Sequence, residues 1–341
     1  MSSKLPPLIR LPEPFQFPNI VRVGSFMKWG DLRMYTNTSI FDFFSSLGVS
    51  SDMIEIGMVP LNRAIYNQGS KSNAFGFLAS LTAQLSQHTV TAGNSELVKA
   101  LFNYSNSRVL LNTNVTKIRM NQNAGYDDRN LFSVYYNESL HDVFDAVVIA
   151  SPLEVTDITF ENINLTKNSN VDRGYFNWYI TVVEASSINM SQFPSYKPSQ
   201  GIPNLIVTTT NSSGKTGFVC MQPLGRHAKT PAPKNVWMVY SDRSIKREIG
   251  VYFKNPNTET IYEHFWPYTF PHLKVFSDEG GTQPIILNEA DGGGIYNANA
   301  MESIATAMEL SSIGGRNVAL LIEKYLYENT SIQGDQHKAA T

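Results

Sequence analysis

The 341-residue sequence has little of what would place it in several familiar classes of protein. Its single cysteine, Cys220, excludes an intrachain disulfide and a thiolate metal cage. We interpret Cys220 as a buried apolar thiol and not as a nucleophile, because no catalytic histidine signature accompanies it. No stretch reaches the roughly 18 apolar residues that a membrane-spanning helix needs, so we expect no transmembrane segment. The net charge of −2 provides no field to attract nucleic acid, so we expect no such partner.

The common catalytic motifs are also missing. The sequence has no serine nucleophile elbow and no zinc-binding HExxH, and Gly292–Gly294 lacks the lysine of a phosphate-binding loop. No glycine-rich dinucleotide fingerprint follows a predicted strand. His264 and His272 are separated by two prolines, which favours ordinary polar contacts over a metal site. Motifs alone therefore indicate an α/β or α+β protein with an apolar, aromatic pocket and do not name a reaction.

The first quarter of the chain has helical periodicity, at Thr38–Ile56, Asn62–Tyr66 and Asn73–Leu85. After Val90 the pattern changes to a helix that starts at Ser95 and is followed by strands. The short strands that we predict there are Val109–Leu111, Val115–Met120 and Phe132–Tyr136. Phe144–Ala150 is a continuous apolar run, which is typical of a strand covered on both faces in a parallel sheet.

The next section predicts an antiparallel sheet that carries a pocket, because short β-rich runs alternate with turn-rich loops. The predicted strands are Tyr179–Glu184, Asn204–Thr210, Gly217–Met221 and Val236–Tyr240. Ile261–Phe276 follows as an aromatic-dense stretch that we assign to no particular element.

The C-terminal stretch Leu287–Tyr325 predicts a glycine-rich corner, a short strand at Ile295-Tyr296 and one long helix with Met301 on its apolar face. The middle of this helix is rich in small residues and contains Gly314-Gly315, which cost about 1 kcal/mol each relative to alanine. Either tight helix-on-sheet packing or a ligand lying across the helix start explains them. The tail after Asn329 is polar, and we expect it to be frayed.

Four blocks of sequence resemble the prenylcysteine oxidases (prenylcysteine lyases), a branch of the flavin amine-oxidase-like proteins. They are Ile56–Ala79; Val90–Leu101; Phe144–Pro152 with Asp157–Asn162 and Trp178–Phe193; and Ile295–Leu321. The resemblance implies a mixed α/β and α+β fold with two domains, an FAD-binding domain and an antiparallel-sheet substrate domain. The family's signal peptide and dinucleotide fingerprint have no counterpart in this sequence, so we expect the FAD-binding domain to be incomplete.

The resemblance also implies domain boundaries and site residues. Residues 1–88 correspond to the helical part of the substrate domain, 89–160 to the rest of the FAD domain, 161–285 to the β-rich substrate domain and 286–327 to the strand and helix that complete the FAD domain, with 328–341 as a tail. It implies seven cofactor contacts, at Gly93, Asn94, Val115, Ser151, Pro152, Met308 and Glu309. Trp266, Tyr268 and His272 either form a substrate-pocket wall or are core aromatics at a domain seam.

The implied reaction is oxidative cleavage of the thioether of a prenylcysteine, with FAD as cofactor and O2 as oxidant. A hydride leaves the isoprenoid carbon next to sulfur, and water then yields cysteine and an isoprenoid aldehyde. Such a substrate stabilises its own charge, so the reaction needs no nucleophile or strong base, and we identify no catalytic residue. Two alternatives stay open, a different flavin amine oxidase and a cofactor-free domain that binds isoprenoid or a partner protein.

A lysosomal or secretory-pathway location is expected from the resemblance and from acceptors for N-linked sugars. The start of the sequence is rich in proline and has no apolar core, so it does not read as a signal peptide. Asn-x-Ser/Thr nevertheless recurs at Asn37, Asn103, Asn114, Asn137, Asn164, Asn189, Asn211 and Asn329.

Overall fold

A layer of short helices begins the part of the chain that the computed structural model describes. That part comprises residues 20–82, 90–124, 129–137, 140–167, 173–193, 203–209, 217–227, 234–253, 258–276 and 282–338. The helices are α1 (Val23–Trp29), α2 (Arg33–Thr36), α3 (Ile40–Ser46), a π-helix (Met53–Met58), α4 (Val59–Tyr66) and α5 (Ala74–Thr82). The predicted helical stretch Thr38–Ile56 is interrupted at Gly48, and the structure accordingly has two helices there, α3 and the π-helix.

A four-stranded sheet follows α6 (Asn94–Ser105). It has the order β3-β2-β1-β5, with β1 Val115–Asn121, β2 Leu131–Tyr136, β3 Leu140–Phe144 and β5 Thr159–Glu161. Strand β1 runs antiparallel to β2 and parallel to β5. The predicted strands Val115–Met120 and Phe132–Tyr136 are confirmed, whereas Val109–Leu111 is wrong because these exposed residues lie in an irregular segment.

A short parallel pair, β4 (Val147–Ile149) and β11 (Ile295–Asn297), lies beside this sheet. The parallel pairing that we expected is confirmed, but the single strand Phe144–Ala150 is not. Phe144 ends β3 at a separate sheet, and Ala146 lies in the short link before β4. Val148 is 44% exposed, so this apolar strand is not covered on both faces.

The largest sheet has five antiparallel strands in the order β10-β6-β9-β8-β7. They are β6 Tyr175–Ala185, β7 Ile206–Val207, β8 Cys220–His227, β9 Lys234–Ser241 and β10 Glu259–Pro271, with α7 (Ile249–Tyr252) between β9 and β10. Strand β10 occupies an edge, and its register shifts between Trp266 and Phe270. This irregularity accommodates Pro267, because an edge strand tolerates a missing N–H.

The C-terminal segment differs from the single helix that we predicted. A 3₁₀ segment, Ala298–Ser303, precedes the long helix α8, which begins only at Met308 and runs to Lys338. The backbone of the predicted frayed tail is therefore helical as far as Lys338. Gly314 of α8 packs on the 3₁₀ segment, since a Cβ there would lie 3.1 Å from Met301 Cγ and 3.2 Å from the Ala298 oxygen. Internal packing thus explains this glycine without a ligand.

Candidate functional site

An aromatic cavity of about 580 Å³ lies between helix α4 and one face of the five-stranded sheet. Side chains two residues apart on a strand share a face, which brings Trp178 and Ile180 of β6 to the cavity together. Its other walls come from Leu61 and Ile65 of α4, Cys220 of β8, Tyr240 of β9, and Trp266 and Phe270 of β10. In size and lining it is typical of sites for apolar small molecules.

The polar groups of this cavity are few and neutral. Cys220 is 2% exposed, and burial raises the pKa of its thiol to about 12. The thiol therefore stays protonated at neutral pH, which confirms Cys220 as a buried thiol. Burial also raises the pKa of the Tyr240 phenol. No carboxylate lines the cavity among the described residues.

Arg63 of α4 places a positive charge next to the cavity. It is 6% exposed, and its Nε and Nη2 donate to the carbonyl oxygen and the hydroxyl of Thr208, at 3.0 and 3.2 Å. Burial lowers the pKa of the guanidinium, although arginine stays charged in proteins. Within the described part of the chain no carboxylate lies within ion-pair distance of Arg63.

Tyr66 joins the cavity to the beginning of α8. Its ring meets that of Phe270 edge to face, with centroids 5.7 Å apart. Its hydroxyl donates to the Thr306 carbonyl oxygen at 3.1 Å. Burial, with the charge of Glu309, raises the pKa of the Tyr66 phenol to about 12. Thr306 Oγ1 is itself buried, and the described residues offer it no hydrogen-bond partner. Of the predicted cofactor residues, Met308 and Glu309 are the first two of α8 and both are exposed.

A second cleft, of about 640 Å³, lies along β4. Two further predicted cofactor residues, Val115 and Ser151, line it together, whereas Pro152 is not among its lining residues. Strand β4 pairs only with β11 in the described residues, so its other edge is unpaired. Gly93 adopts a positive φ of 97° as the N-cap of α6, and Asn94 is the first residue of that helix. Both are exposed and neither lines the cleft.

A buried polar network connects the segment before β6 to the turn after β4 and to the 3₁₀ segment before α8, and sequence reasoning missed it entirely. Arg173 pairs with Glu154 and donates from Nη2 to the Asn299 side chain at 2.7 Å. Burial alone would raise the pKa of Glu154, but its hydrogen bonds to Arg173 and the charge of that residue lower it. Gln283 donates to the same carboxylate at 3.1 Å. These partners are far apart in sequence, so no local pattern indicates the network.

The three predicted pocket residues have different positions. Trp266 lines the aromatic cavity, but Tyr268 and His272 do not. Tyr268 is 54% exposed and contacts Tyr175 edge to face, with centroids 5.9 Å apart. The His272 ring lies against Phe176, at 4.2 Å between centroids. Tyr268 has a positive φ of 51° in the irregular part of β10, and His272 follows the last residue of that strand. Both rings contact the start of β6 and lie outside the lining of the cavity.

The described residues show neither a metal cluster nor a membrane-crossing helix. No group of three or more histidine, cysteine or acidic side chains is close enough there to hold a metal ion. None of the helices in that part of the chain is long and apolar enough to cross a membrane.

The fold belongs to the mixed class, with helices and with parallel and antiparallel strands, and it contains an apolar, aromatic cavity. Residues 13–336 match the family described as prenylcysteine lyase, and the chain belongs to that family. This confirms the family that the four sequence blocks indicated.

Curated relatives carry names that agree with the family. The chain is 24% identical to human prenylcysteine oxidase 1 over 319 residues, which are 90% of this chain and 61% of that protein. It is 23% identical to Arabidopsis thaliana farnesylcysteine lyase over 328 residues, 95% of this chain and 60% of that protein. Human prenylcysteine oxidase 1-like is 24% identical over 306 residues, with 86% and 59% covered. The chain thus spans about three fifths of the length of these relatives.

Proposed function

We propose that the chain takes part in the FAD-dependent oxidative cleavage of prenylcysteines. The observation that carries this proposal is the contact from the aromatic cavity through Tyr66 to the start of α8. An apolar ligand in the cavity would have its inner end next to the predicted cofactor segment. In the balanced reaction, a prenylcysteine, O2 and water give cysteine, an isoprenoid aldehyde and H2O2.

The residues present fit FAD in part. Val115 and Ser151 would hold one portion of it in the cleft along β4. The start of α8 would hold the flavin, where the free N–H groups of a helix start favour electron-rich atoms and Thr306 Oγ1 has no partner among the described residues. FAD, when bound, supplies the acceptor for the hydride and the site at which O2 is reduced. No glycine-rich loop follows a strand in the described residues, so we expect this chain to bind FAD weakly or not at all.

The role of the chain's own residues is to bind and orient the substrate and to exclude water. Trp178, Ile180 and Phe270 surround an isoprenoid chain with apolar atoms, and each buried CH2 group contributes about 0.8 kcal/mol. The sulfur and the allylic double bond of the substrate stabilise the charge left by hydride loss. The protein therefore needs no base, in agreement with a cavity lined by no carboxylate in the described part. The same lining disfavours a polyamine substrate.

A cofactor-free isoprenoid-binding protein is the second candidate, and the weak expected affinity for FAD favours it. One experiment distinguishes the two candidate functions. The purified chain is incubated with excess FAD, O2 and S-farnesylcysteine. The oxidase reading predicts farnesal and cysteine in equal amounts. Binding of the isoprenoid with no flavin retained by the chain and no product formed would favour the second candidate.

We also propose a lysosomal or secretory-lumen location. Exposed Asn103 and Asn114 lie in acceptor sequences for N-linked sugars, which are attached in the secretory pathway and so support this proposal. A shift in mass on treatment with a glycosidase would test this.

A further inference from the structure

The buried network around Arg173 holds two carboxylates but only one cation among the described residues. The side chain of Arg173, which precedes β6, is 5% exposed, and that of Glu154, which follows β4, is 4% exposed. Glu302 lies on the 3₁₀ segment before α8 and is partly buried. The charges that act on Glu302 there are those of Arg173 and Glu154. With both acids ionised, the network therefore has one negative charge in excess.

The guanidinium of Arg173 is committed to partners other than Glu302. Its Nε and Nη2 donate to the two carboxylate oxygens of Glu154. Nη2 also donates to the Tyr175 hydroxyl and to the Asn299 side-chain oxygen, and Nη1 donates to the Asn299 carbonyl oxygen at 3.3 Å. Within the described residues no basic side chain lies within ion-pair distance of Glu302. The charge of Glu302 is therefore not matched by a cation of its own.

The surroundings of Glu302 favour its neutral form. Burial, which has the largest effect, and the charge of Glu154 raise the pKa of Glu302 above its ordinary value of 4.5. Residues three apart eclipse on a 3₁₀ helix, so Glu302 lies over Asn299. A hydrogen bond to Asn299 and the charge of Arg173 offset only part of the effect of burial. The Tyr175 phenol adds no charge, because burial raises its pKa.

We propose that Glu302 is a proton-binding site that stabilises the junction of β4, β6 and α8 in mildly acidic solution. The carboxyl group holds a proton in the folded chain and gives it up on unfolding. With this proton bound, the network contains one cation, Arg173, and one anion, Glu154, which are paired with each other. An acidic lumen, as in the location proposed above, would favour this form.

The effect on stability has a definite sign. Because the pKa of Glu302 in the folded chain lies above 4.5, the folded state binds more protons than the unfolded state between the two pKa values. Stability therefore rises as the pH falls through the folded pKa, and this contribution is constant below the unfolded pKa. The pair Arg173–Glu154 has the opposite dependence, because hydrogen bonding lowers the pKa of Glu154. Variants of the two acids separate these contributions.

Urea denaturation of the whole chain and of Glu302→Gln, at pH 7 and at pH 4, tests the proposal. The substitution keeps the shape of the side chain and removes its charge. We expect the midpoint of the variant at pH 7 to be higher by at least about 0.2 M urea, because a buried charge without a partner is gone. The gain should disappear at pH 4, where the unaltered Glu302 is protonated. An equal or lower midpoint at pH 7, or the same gain at both pH values, would overturn the proposal.

Two further variants are the controls. Glu323→Gln removes an exposed carboxylate of α8 and should change the midpoint by less than about 0.1 M urea. Glu154→Gln should lower the midpoint at pH 7, because it removes the charged partner of Arg173. Opposite signs for the two acids of one network are the distinguishing result. Lower midpoints for both Glu154→Gln and Glu302→Gln would show that both acids stabilise the network in their charged form.

Carbon NMR of the unaltered chain gives an answer that depends on no variant. The carboxyl carbon of Glu302, assigned through its own side chain, should titrate above the ordinary value of 4.5. A midpoint at or below that value contradicts the proposal, even if Glu302→Gln does not fold. Neither measurement uses FAD or a prenylcysteine, so the outcome is independent of the proposed function.

Discussion

The five-stranded sheet and the region around β4 and α6 bury their apolar residues to very different extents. Trp237 and Val239 of the sheet are both fully buried. In contrast, every residue from 90 to 112 is exposed, and this segment includes all of α6. Leu101 of α6 is 59% and Phe102 49% exposed. The sheet is stabilised by its own packing, whereas the face of α6 carries apolar side chains that a covering layer would bury.

The largest expected effect on stability comes from truncating a buried side chain of the five-stranded sheet. Trp237→Ala should lower the free energy of unfolding by about 3–5 kcal/mol, because it leaves a cavity in the core. The equivalent truncation in α6, Leu101→Ala, should change it by no more than about 0.5 kcal/mol. Urea denaturation of both variants measures the difference. A cost above about 2 kcal/mol for Leu101→Ala would mean that α6 is covered after all.

The second prediction concerns the buried ion pair between Arg173, which precedes β6, and Glu154, which follows β4. Arg173→Met leaves the buried Glu154 carboxylate without its partner, which should cost about 3 kcal/mol at pH 7. The exposed pair Lys99–Glu96 is the control, and Lys99→Met should cost less than about 1 kcal/mol. Similar costs for both variants would refute a structural role of the buried pair.

The same pair should make stability depend on pH. Because Arg173 holds the pKa of Glu154 below its ordinary value of 4.5, the pair contributes stability above that pH. This contribution is lost as the pH falls through the lower pKa of the folded state. The difference in unfolding free energy between the unaltered chain and Arg173→Met should therefore shrink below pH 4.5. A constant difference from pH 7 to pH 3 contradicts this.

The smallest expected effect is that of the Tyr66 hydroxyl. Tyr66→Phe removes its hydrogen bond to the Thr306 carbonyl oxygen and should cost about 1 kcal/mol. Amide hydrogen exchange should become faster in the first turn of α8 and stay unchanged in β9. Unchanged exchange at the start of α8 would show that Tyr66 does not hold this helix.

The comparison also explains which parts of the fold the sequence predicted. Alternation identified β1 because one of its faces is buried, with Ile118 and Met120 on that face. The prediction for the apolar run Phe144–Ala150 was wrong because a continuous apolar sequence occurs both in a strand covered on both faces and in a strand whose apolar side chains are exposed. Strand β10 was missed because Pro267 and the register shift beside it interrupt the pattern.

The candidate site was predicted only where single residues carry the signal. The burial of Cys220 followed from its residue type. For Trp266 the resemblance left a pocket wall and a core aromatic open; this residue lines the cavity, and its contact with a substrate stays a prediction. The link from Tyr66 to Thr306 joins residues 240 positions apart. Such a contact depends on the tertiary fold, and no local pattern in one sequence indicates it.

The proposed function is the cleavage of prenylcysteines with the substrate bound in the aromatic cavity. The most direct measurement is the release of cysteine from S-farnesylcysteine by the chain saturated with FAD, with H2O2 and farnesal determined in the same sample. The account predicts equal amounts of the three products, and a lower rate for Trp178→Phe than for Trp237→Phe. A chain that is loaded with flavin, binds S-farnesylcysteine and yet releases no thiol would contradict it.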